Sequence, residues 1–299
     1  MLPANVYSVG FMVDGPLLPF NAGKPSVARL HDYALGGKDN FVVDREMAAE
    51  LVEIYPPAAV LARDSREFQA RAVGYVARQG VAQFIDVGCG MPTSPATHEV
   101  ATLVNPDARV AYVDNDPMVI SHTAALLARP GTVAAVPGDV CRPRDILAHG
   151  ELTALIDFSE PFCVILGVIL DFVRPAEAER VMAVLRDAMP AGSFVILCIG
   201  ISNGAADIAQ DWDKAYCDVA RMYLHSREQI KGYFTGLEIV EPGLTEARNW
   251  RPGQPPASTD PLPIDALAYV GRKPRQPSAP PSGMAAARRP GGTAGQWPA

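Results

Sequence analysis

Three acidic residues stand at or just after short apolar runs, where parallel β-strands would end. Asp86 lies near the end of the run Gln83–Val87, Asp114 follows the run RVAYV, and Asp139 follows Val133–Val136. Ligands of open α/β sheets bind at the carboxyl ends of the strands. Carboxylates at that edge can accept hydrogen bonds from the hydroxyl and amino groups of a nucleoside. The pattern therefore predicts a ligand that contains a nucleoside.

The turn after the first run, Asp86-Val-Gly-Cys-Gly90, is the strongest single signal. Gly88 and Gly90 have no Cβ atoms to obstruct a ligand, so the backbone can approach it closely. The N-terminus of the next helix favours a negative group such as a carboxylate or phosphate. A Gly-x-Gly pair alone is weak evidence, but here it follows a strand and an acid, which strengthens it.

Asp114 and Asp139 each have an alternative interpretation. We expect Asp114 to bind ribose hydroxyls, as acids at this position do in dinucleotide-binding folds; its alternative role is to cap the next helix. Capping of the next helix is assigned to Asp116, because Pro117 suits the first helical position. Asp139, in Gly138-Asp139-Val140, could accept a hydrogen bond from an adenine amino group or be an ordinary loop residue. Alone it favours the loop, but three acids at one edge favour a shared ligand.

The elements that must position these acids alternate between strands and helices. Several runs are apolar throughout, which indicates strands buried on both faces of a parallel sheet covered by helices. The predicted strands are Gln83–Val87, Arg109–Val113, Val133–Val136, Phe162–Leu170 and Ser193–Ile199. The predicted helices are Pro56–Gln79, Thr97–Val104 with Ser94 as its cap, Pro117–Ala128, Asp145–Ile156, Ala176–Met189 and Ala206–Gly232. Two late runs, Gly236–Val240 and Ala266–Val270, predict an antiparallel hairpin at one sheet edge.

The chain divides into four predicted regions. Residues 1–24 form an N-terminal arm, and residues 25–80 form a helical extension or lid. Residues 81–273 form the α/β domain that binds the ligand. Residues 274–299, rich in Pro, Gly, Ala, Ser and Arg, lack periodic apolar positions and are expected to be a disordered tail.

This set of motifs resembles the class I S-adenosylmethionine-dependent methyltransferases. The resemblance implies a Rossmann-like α/β fold with a mostly parallel seven-stranded sheet, an antiparallel last strand and, here, an N-terminal helical extension. In that family the Asp-x-Gly-x-Gly loop holds the methionine part, the second-strand acid holds the ribose, and the acid after the third strand contacts the adenine. The cofactor-binding residues so implied are Asp86, Gly88, Gly90, Asp114, Asn115 beside the adenine, Asp139 and Val140.

A narrower resemblance lies in the segment Pro25–Phe41, PSVARLHDYALGGKDNF. It looks like the N-terminal signature of a group of actinobacterial S-adenosyl methyltransferases, formerly a domain of unknown function, and the likeness extends over about residues 25–272. Relatives typically have Leu-His-Phe after the fourth strand, where this chain has Leu170-Asp171-Phe172. Asp171 is therefore a candidate catalytic base, with capping of the following helix as the alternative.

The segment from Arg29 to Asn40 is dense in polar residues around Gly36-Gly37. One interpretation is a functional lid, with Arg29 or Lys38 near the methionine carboxylate and Tyr33 near the site of methyl transfer. The other is a helix C-terminus that Gly36 caps, followed by a solvated turn. Tyr33 is thus the second candidate catalytic residue.

Composition excludes several function classes. The net charge of −7 disfavours a nucleic-acid partner, and the longest apolar run is far too short to span a membrane. Scattered cysteines without a CxxC pair or a metal-ligand spacing predict neither disulfides nor a metal site, and suit a cytoplasmic protein. No secretory signal is recognised. The oligomeric state stays open.

The expected function is methyl transfer from S-adenosylmethionine to an unidentified small-molecule acceptor. A non-catalytic S-adenosylmethionine-binding regulator is an alternative, since it would keep the same cofactor acids. An NAD(P)-dependent oxidoreductase is disfavoured because Thr93 stands where the third glycine of Gly-x-Gly-x-x-Gly is required.

Overall fold

A computed structural model describes residues 21–217, 219–255 and 261–275 of the 299-residue chain. Most of the expected N-terminal arm and all but the start of the expected tail lie outside these residues. Among the helices described, none combines the length and the apolar character that crossing a membrane requires.

An eight-stranded mixed sheet forms the centre of the described structure, in the order β3-β2-β1-β4-β5-β8-β6, with β7 also paired to β8. The strands β1 to β5 are parallel to one another. The strand β8 runs antiparallel to β5, β6 and β7. This confirms the predicted fold, with a two-residue strand, β7, in addition to the seven expected. The strands are β1 Gln83–Val87, β2 Arg109–Asp114, β3 Val133–Pro137, β4 Cys163–Gly167, β5 Phe194–Ser202, β6 Glu238–Ile239, β7 Thr245–Glu246 and β8 Ile264–Arg272.

Helices cover both faces of the sheet, as its apolar strands require. They are α1 Val27–Ala34, α2 Val42–Ile54, α3 Ala58–Arg78, α4 Thr97–Val104, α5 Pro117–Leu126, α6 Pro143–Leu147, α7 Gly150–Leu155, α8 Pro175–Ala188, α9 Ala206–Tyr216 and α10 Arg227–Tyr233. Side chains of α6, α7, α8 and α10 pack on one face, and those of α3, α4 and α5 on the other. A third, smaller apolar cluster joins α1 and α2 to α9, away from the sheet.

Four sequence predictions were wrong in detail. The expected helix 145–156 is two short helices, α6 and α7, because α7 starts anew after His149, whose side chain accepts a hydrogen bond from the Glu151 amide. The expected helix 206–232 is two helices, because α9 ends at Tyr216 and α10 starts afresh at Ser226, whose side chain accepts a hydrogen bond from the Gln229 amide. The expected strand 162–170 ends at Gly167, where Val168 turns the chain with φ 66° into a 3-10 helix, Ile169–Phe172. Ser94 does not cap α4, since Glu99 instead accepts the Ala96 amide.

The N-terminal helices are fastened to the α/β domain by buried polar contacts. The Tyr55 hydroxyl donates to the Ile264 carbonyl at the start of β8, over 2.6 Å. Arg71 donates to the carbonyls of Ala247 and Trp250. Because α3 also buries Phe68 against the sheet, it forms part of the main core, whereas α1 and α2 lie above the carboxyl edge of the sheet.

Candidate functional site

A large cavity of about 1490 Å³ lies between the carboxyl ends of β1, β2, β4 and β5 and the helices α1, α2, α3 and α9. This is the edge at which open α/β sheets bind their ligands. The sheet edge supplies a polar wall that includes Gly88, Gly90, Asp114 and Asn115. The helices supply a mostly apolar wall. Of the five parallel strands, β3 is the one whose end contributes no residue to the lining.

The glycine-rich turn adopts a backbone that only glycine takes without strain. Gly88 has φ 70° and Gly90 has φ 66°, both in the left-handed region. A Cβ on Gly88 would lie 2.5 Å from the Ile169 side chain, so the turn packs directly on the 3-10 helix. Its first two amides, of Gly88 and Cys89, donate to the Val113 carbonyl on β2. These two amides are therefore already occupied, and what the turn provides to a ligand is mainly a surface without side chains, against which the ligand can pack closely.

Asp114 faces the cavity from the end of β2, as predicted. One carboxylate oxygen accepts the Gly90 amide at 3.0 Å and the other accepts the Asp116 amide at 2.9 Å. Burial raises the pKa of Asp114 to about 6, although these two hydrogen bonds act in the opposite direction. The predicted capping role of Asp116 is confirmed, because its carboxylate accepts the Met118 amide and caps α5. Ribose binding by Asp114 stays a prediction.

Asp86 is buried behind the cavity wall and does not line the cavity. One of its oxygens accepts hydrogen bonds from the Thr97 hydroxyl at 2.6 Å and from the Gln69 amide nitrogen at 2.9 Å. Burial raises its pKa. Gln69, which sequence reasoning did not single out, does line the cavity. It fills the space beside Gly167, where a Cβ would lie 2.7 Å from its amide oxygen.

Asp139 lies at the same sheet edge, but neither it nor Val140 is among the residues that line the cavity. The Asp139 carboxylate accepts the Cys141 amide at 2.9 Å and so shapes the turn before α6. The Gly138 amide donates to the Asp114 carbonyl, which holds this loop beside the end of β2. Parallel strands thus carry all three acids to one edge, yet only Asp114 turns its side chain into the cavity.

Asp171 sits in the 3-10 helix after β4 and lines the cavity, although it is only 3% exposed. Its carboxylate accepts the Gly200 amide at 2.9 Å. Burial raises its pKa to about 7, a value suited to exchanging protons near neutral pH. The alternative expectation, capping of α8, is wrong, because Arg174 occupies the N-cap position of that helix.

The polar segment after α1 is folded around the buried side chain of Asp32. Its carboxylate accepts hydrogen bonds from the Asp39 amide at 3.0 Å and from the Asn40 side chain at 2.8 Å. A Cβ on Gly37 would lie 1.9 Å from the same carboxylate, so only glycine fits there. These contacts explain much of the LGGKDNF pattern as a compact turn.

The residues expected to bind a methionine carboxylate are placed otherwise. Arg29 contributes to the cavity lining, but its guanidinium forms a buried ion pair with Asp44 at 2.8 Å. Lys38 is exposed and does not line the cavity. Tyr33, the second candidate catalytic residue, lines the cavity and is 39% exposed.

Arg66 on α3, a residue that the sequence analysis did not single out, lies beside the glycine-rich turn. Its guanidinium donates to the Cys89 carbonyl at 3.0 Å, directly over the glycine-rich turn. It also contributes to the low pKa of His31, about 3, whose larger cause is burial, so His31 is neutral. A signal was available in the sequence, since Arg66 and Gln69 interrupt the apolar pattern of α3 on one side.

None of the five cysteines, which all lie within the described residues, forms a disulfide, and burial raises the pKa of Cys89 in the glycine-rich turn well above its usual value. Among the described residues, His, Cys, Asp and Glu form no group of three or more that could hold a metal ion.

Comparisons with known proteins agree with this geometry. A family model described as S-adenosyl methyltransferase matches residues 18–274. The crystal structure of a Thermobifida fusca protein named as a candidate methyltransferase is 36% identical, with a TM-score of 0.79, over 84% of this chain and 96% of that one. A Streptomyces avermitilis DUF574 family protein is 34% identical, with a TM-score of 0.78, over 84% of this chain and 98% of that one.

No protein with curated annotation matches the chain. The family match covers most of the sequence, including the glycine-rich turn, Asp114 and Asp171. The oxidoreductase alternative is therefore not favoured. The chain belongs to the S-adenosyl methyltransferase family and is an S-adenosylmethionine-dependent methyltransferase of the class I fold.

Proposed function

We propose that the protein methylates a small-molecule acceptor, which binds next to the cofactor in the cavity at the sheet edge. The observation that supports this most is the continuity of the cavity, which runs from Asp114 past Asp171 to the helices α1, α2 and α9. A concave site of this kind, covered by helices on one side, suits a small molecule better than a polymer. The negative net charge also disfavours a nucleic acid as acceptor.

The polar end of the cavity has the groups that an adenosyl amino acid requires. We assign the ribose hydroxyls to the Asp114 carboxylate and the adenine edge to Asn115. The carboxylate of the amino acid part is assigned to Arg66, which lies over the turn formed by Gly88 and Gly90. For Asp86 the proposed role is indirect, since it fixes Gln69 and Thr97 behind that turn.

For Asp139 and Val140 we propose no more than contact with the outer edge of the adenine. The Asp139 carboxylate already accepts the Cys141 amide, and neither side chain is on the cavity wall. The expectation of a full adenine hydrogen bond to Asp139 is thus reduced to a neighbouring contact.

When bound, S-adenosylmethionine supplies a methyl group that its positive sulfonium makes electrophilic. The chain's own residues must orient the acceptor, exclude water and take up the acceptor's proton. We assign the last role to the Asp171 carboxylate, whose pKa of about 7 lets it take a proton under mildly alkaline conditions. Tyr33 lines the same cavity and is proposed to help close it around the reactants.

We further propose that residues 25–80 act as the cover of the site. Side chains of α1, α2 and α3 line the cavity opposite the sheet edge. Five cysteines without a disulfide support a cytoplasmic location, because that compartment keeps thiols reduced.

Titration calorimetry with S-adenosylmethionine and with NADH tests the cofactor assignment. We expect binding of the first and not of the second. Asp114→Ala should weaken S-adenosylmethionine binding at least tenfold, or about 1.4 kcal/mol. Asp107→Ala is the matched control, since Asp107 is exposed and precedes β2 at the opposite edge of the sheet. Unchanged affinity in a folded Asp114→Ala protein would refute the ribose assignment.

A further inference from the structure

The cavity has a second, chemically different end that the cofactor assignment does not use. Its wall comes from the cluster that joins α1 and α2 to α9, including Leu30, Ala48, Leu51, Trp212 and Tyr216. These side chains belong to the cavity lining, so the apolar surface they form faces the space inside the protein. A concave, mostly apolar surface is the usual feature of a small-molecule site.

The volume leaves space for a second molecule. The cavity measures about 1490 Å³, whereas a single drug-sized ligand occupies a pocket of roughly 300–1,000 Å³. The polar groups assigned to the cofactor are confined to the ends of β1 and β2 and to Arg66. The remaining space is the part bounded by the helices.

Aromatic side chains are concentrated at this end. The rings of Phe172 and Tyr216 lie 6.0 Å apart, and those of Tyr216 and Trp212 lie 6.5 Å apart, in tilted or edge-on arrangements. All three side chains line the cavity. Aromatic rings in such geometries pack well against other rings. The wall therefore suits a ring compound better than a flexible polar molecule.

One short element connects the two ends of the cavity. In the 3-10 helix, Ile169 packs under Gly88 of the cofactor turn, and Phe172 packs against Tyr216 of the apolar wall. Asp171 lies between them and also lines the cavity. A molecule in the apolar end can therefore present a polar group to Asp171, next to the cofactor end.

The charges around this end disfavour an anionic ligand. Arg29 is engaged in its ion pair with Asp44, His31 is neutral, and Lys24 is exposed at the margin of the cavity. The acids Asp171 and Asp213 line the wall. The fourth basic residue of the described lining, Arg66, is assigned to the carboxylate of the cofactor. A second carboxylate placed here would therefore meet acids, whereas a hydroxyl can donate a hydrogen bond to Asp171.

From these observations we infer that the apolar end binds the methyl acceptor, and that the acceptor is a neutral ring compound carrying a hydroxyl group directed at Asp171. This inference rests on the proposed function, because it assumes that the polar end holds the cofactor. It defines the substrate class by chemistry: apolar rings for the wall of α1, α2 and α9, and one hydroxyl donor for the carboxylate.

Calorimetry at pH 8, with S-adenosylhomocysteine present, tests the inference with three probes that share one ring system. We expect 2-naphthol to bind saturably. The analogue 2-methoxynaphthalene, which has no hydroxyl donor, should bind about fivefold more weakly. The anion 2-naphthoate should bind at least about tenfold more weakly. Equal affinity for 2-naphthol and 2-naphthoate would overturn the assignment of a neutral hydroxyl compound.

Two variants that fill the apolar end locate the binding site. Ala209→Trp on α9 and Val52→Trp on α2 add bulk from two different helices, at cavity-lining positions that are not fully buried. Each should weaken 2-naphthol binding at least about tenfold and leave S-adenosylhomocysteine binding unchanged. Lys214→Trp is the control, since Lys214 is on α9, exposed, and outside the cavity lining.

The outcomes separate the inference from the function on which it rests. Binding of S-adenosylhomocysteine without saturable binding of 2-naphthol would overturn the inference and leave the proposed function intact. Undiminished 2-naphthol binding by folded Ala209→Trp or Val52→Trp protein would also overturn it, because the probe would then bind elsewhere. Failure of the wild-type protein to bind S-adenosylhomocysteine would instead count against the proposed function.

Discussion

The two ends of the cavity are built by the chain in different ways. At the polar end, Gly88, Gly90, Asp114 and Asn115 come from the turns after two adjacent parallel strands, and the strand register fixes their positions. At the apolar end, helices α1 and α2 meet α9, which follows them only after the whole parallel part of the sheet. The first end depends on backbone geometry and the second on the packing of side chains.

The two ends should therefore differ in how well they tolerate substitutions. Backbone register tolerates little change, because Gly88 and Gly90 hold left-handed conformations that other residues adopt only with strain. Apolar side chains on helices can be exchanged at moderate cost when the volume is kept. We therefore expect substitutions at the polar end to affect cofactor binding, and substitutions at the apolar end to affect the acceptor.

Asp171, between the two ends, is expected to show the largest effect. Asp171→Asn keeps an oxygen that can accept the Gly200 amide but removes the proton acceptor. The rate of methylation of a hydroxyl acceptor such as 2-naphthol should fall about 100-fold, while S-adenosylmethionine binding stays within about twofold. The wild-type rate should rise with pH through about 7 and then level off, because the carboxyl must lose its proton first. A variant with the wild-type rate and pH profile would remove Asp171 from the reaction.

Asp171→Asn, which should lower the rate of methylation, should raise the free energy of unfolding above pH 4. Burial raises the pKa of Asp171 from 3.8 to about 7, so folding favours its neutral form. Its relative stabilisation is complete below pH 4 and is lost as the pH rises to 7. Relative to wild type, Asp171→Asn should therefore gain stability between pH 4 and pH 8, on the order of 4 kcal/mol. Urea unfolding of both proteins at the two pH values measures this, and a difference that does not change with pH would contradict it.

Arg66 tests whether the polar end extends to the amino acid part of the cofactor. Arg66→Gln should weaken S-adenosylmethionine binding about fivefold, because a neutral side chain replaces the charge that pairs with a carboxylate. Arg63→Gln is a suitable control, since Arg63 is exposed on the same helix. Calorimetry with adenosine provides the second readout. Adenosine lacks the carboxylate, so its affinity should be the same for both variants, and an equal loss for both ligands would indicate a merely structural role.

The smallest effect is expected at Asp139. Asp139→Ala should weaken S-adenosylmethionine binding less than threefold, since its carboxylate lies off the cavity wall and accepts the Cys141 amide. Calorimetry beside Asp114→Ala gives the comparison directly. A loss as large as that of Asp114→Ala would show that the ligand reaches the end of β3, and would restore the full adenine role expected from the sequence.

The sequence was informative wherever backbone periodicity decides the outcome. Apolar runs predicted the parallel strands, and the position of Asp114 at the end of β2 followed from them. Pro117 distinguished the capping role of Asp116. Each of these inferences needs only local pattern and the rule that parallel strands end at one edge.

The sequence was less informative where the direction of a side chain decides. The strand pattern brings Asp86 and Asp139 to the correct edge, but it does not tell that Gln69 stands between Asp86 and the cavity, or that Asp139 turns back to Cys141. Arg66 was missed because its role depends on how α3 is rotated against the sheet. The apolar end was not foreseen at all, since α2 and α9 are distant in sequence and their contact follows from tertiary packing.

A crystal structure with S-adenosylhomocysteine and 2-naphthol tests the central claim most directly. We expect both ribose hydroxyls within hydrogen-bond distance of the Asp114 carboxylate, and the naphthol ring against Phe172 and Tyr216 with its hydroxyl at Asp171. The sulfur atom should face that hydroxyl within the cavity, with no protein atom between them, as in-line methyl transfer requires. A ribose away from Asp114, or an adenine ring occupying the space between α2 and α9, would contradict the division of the cavity into a cofactor end and an acceptor end.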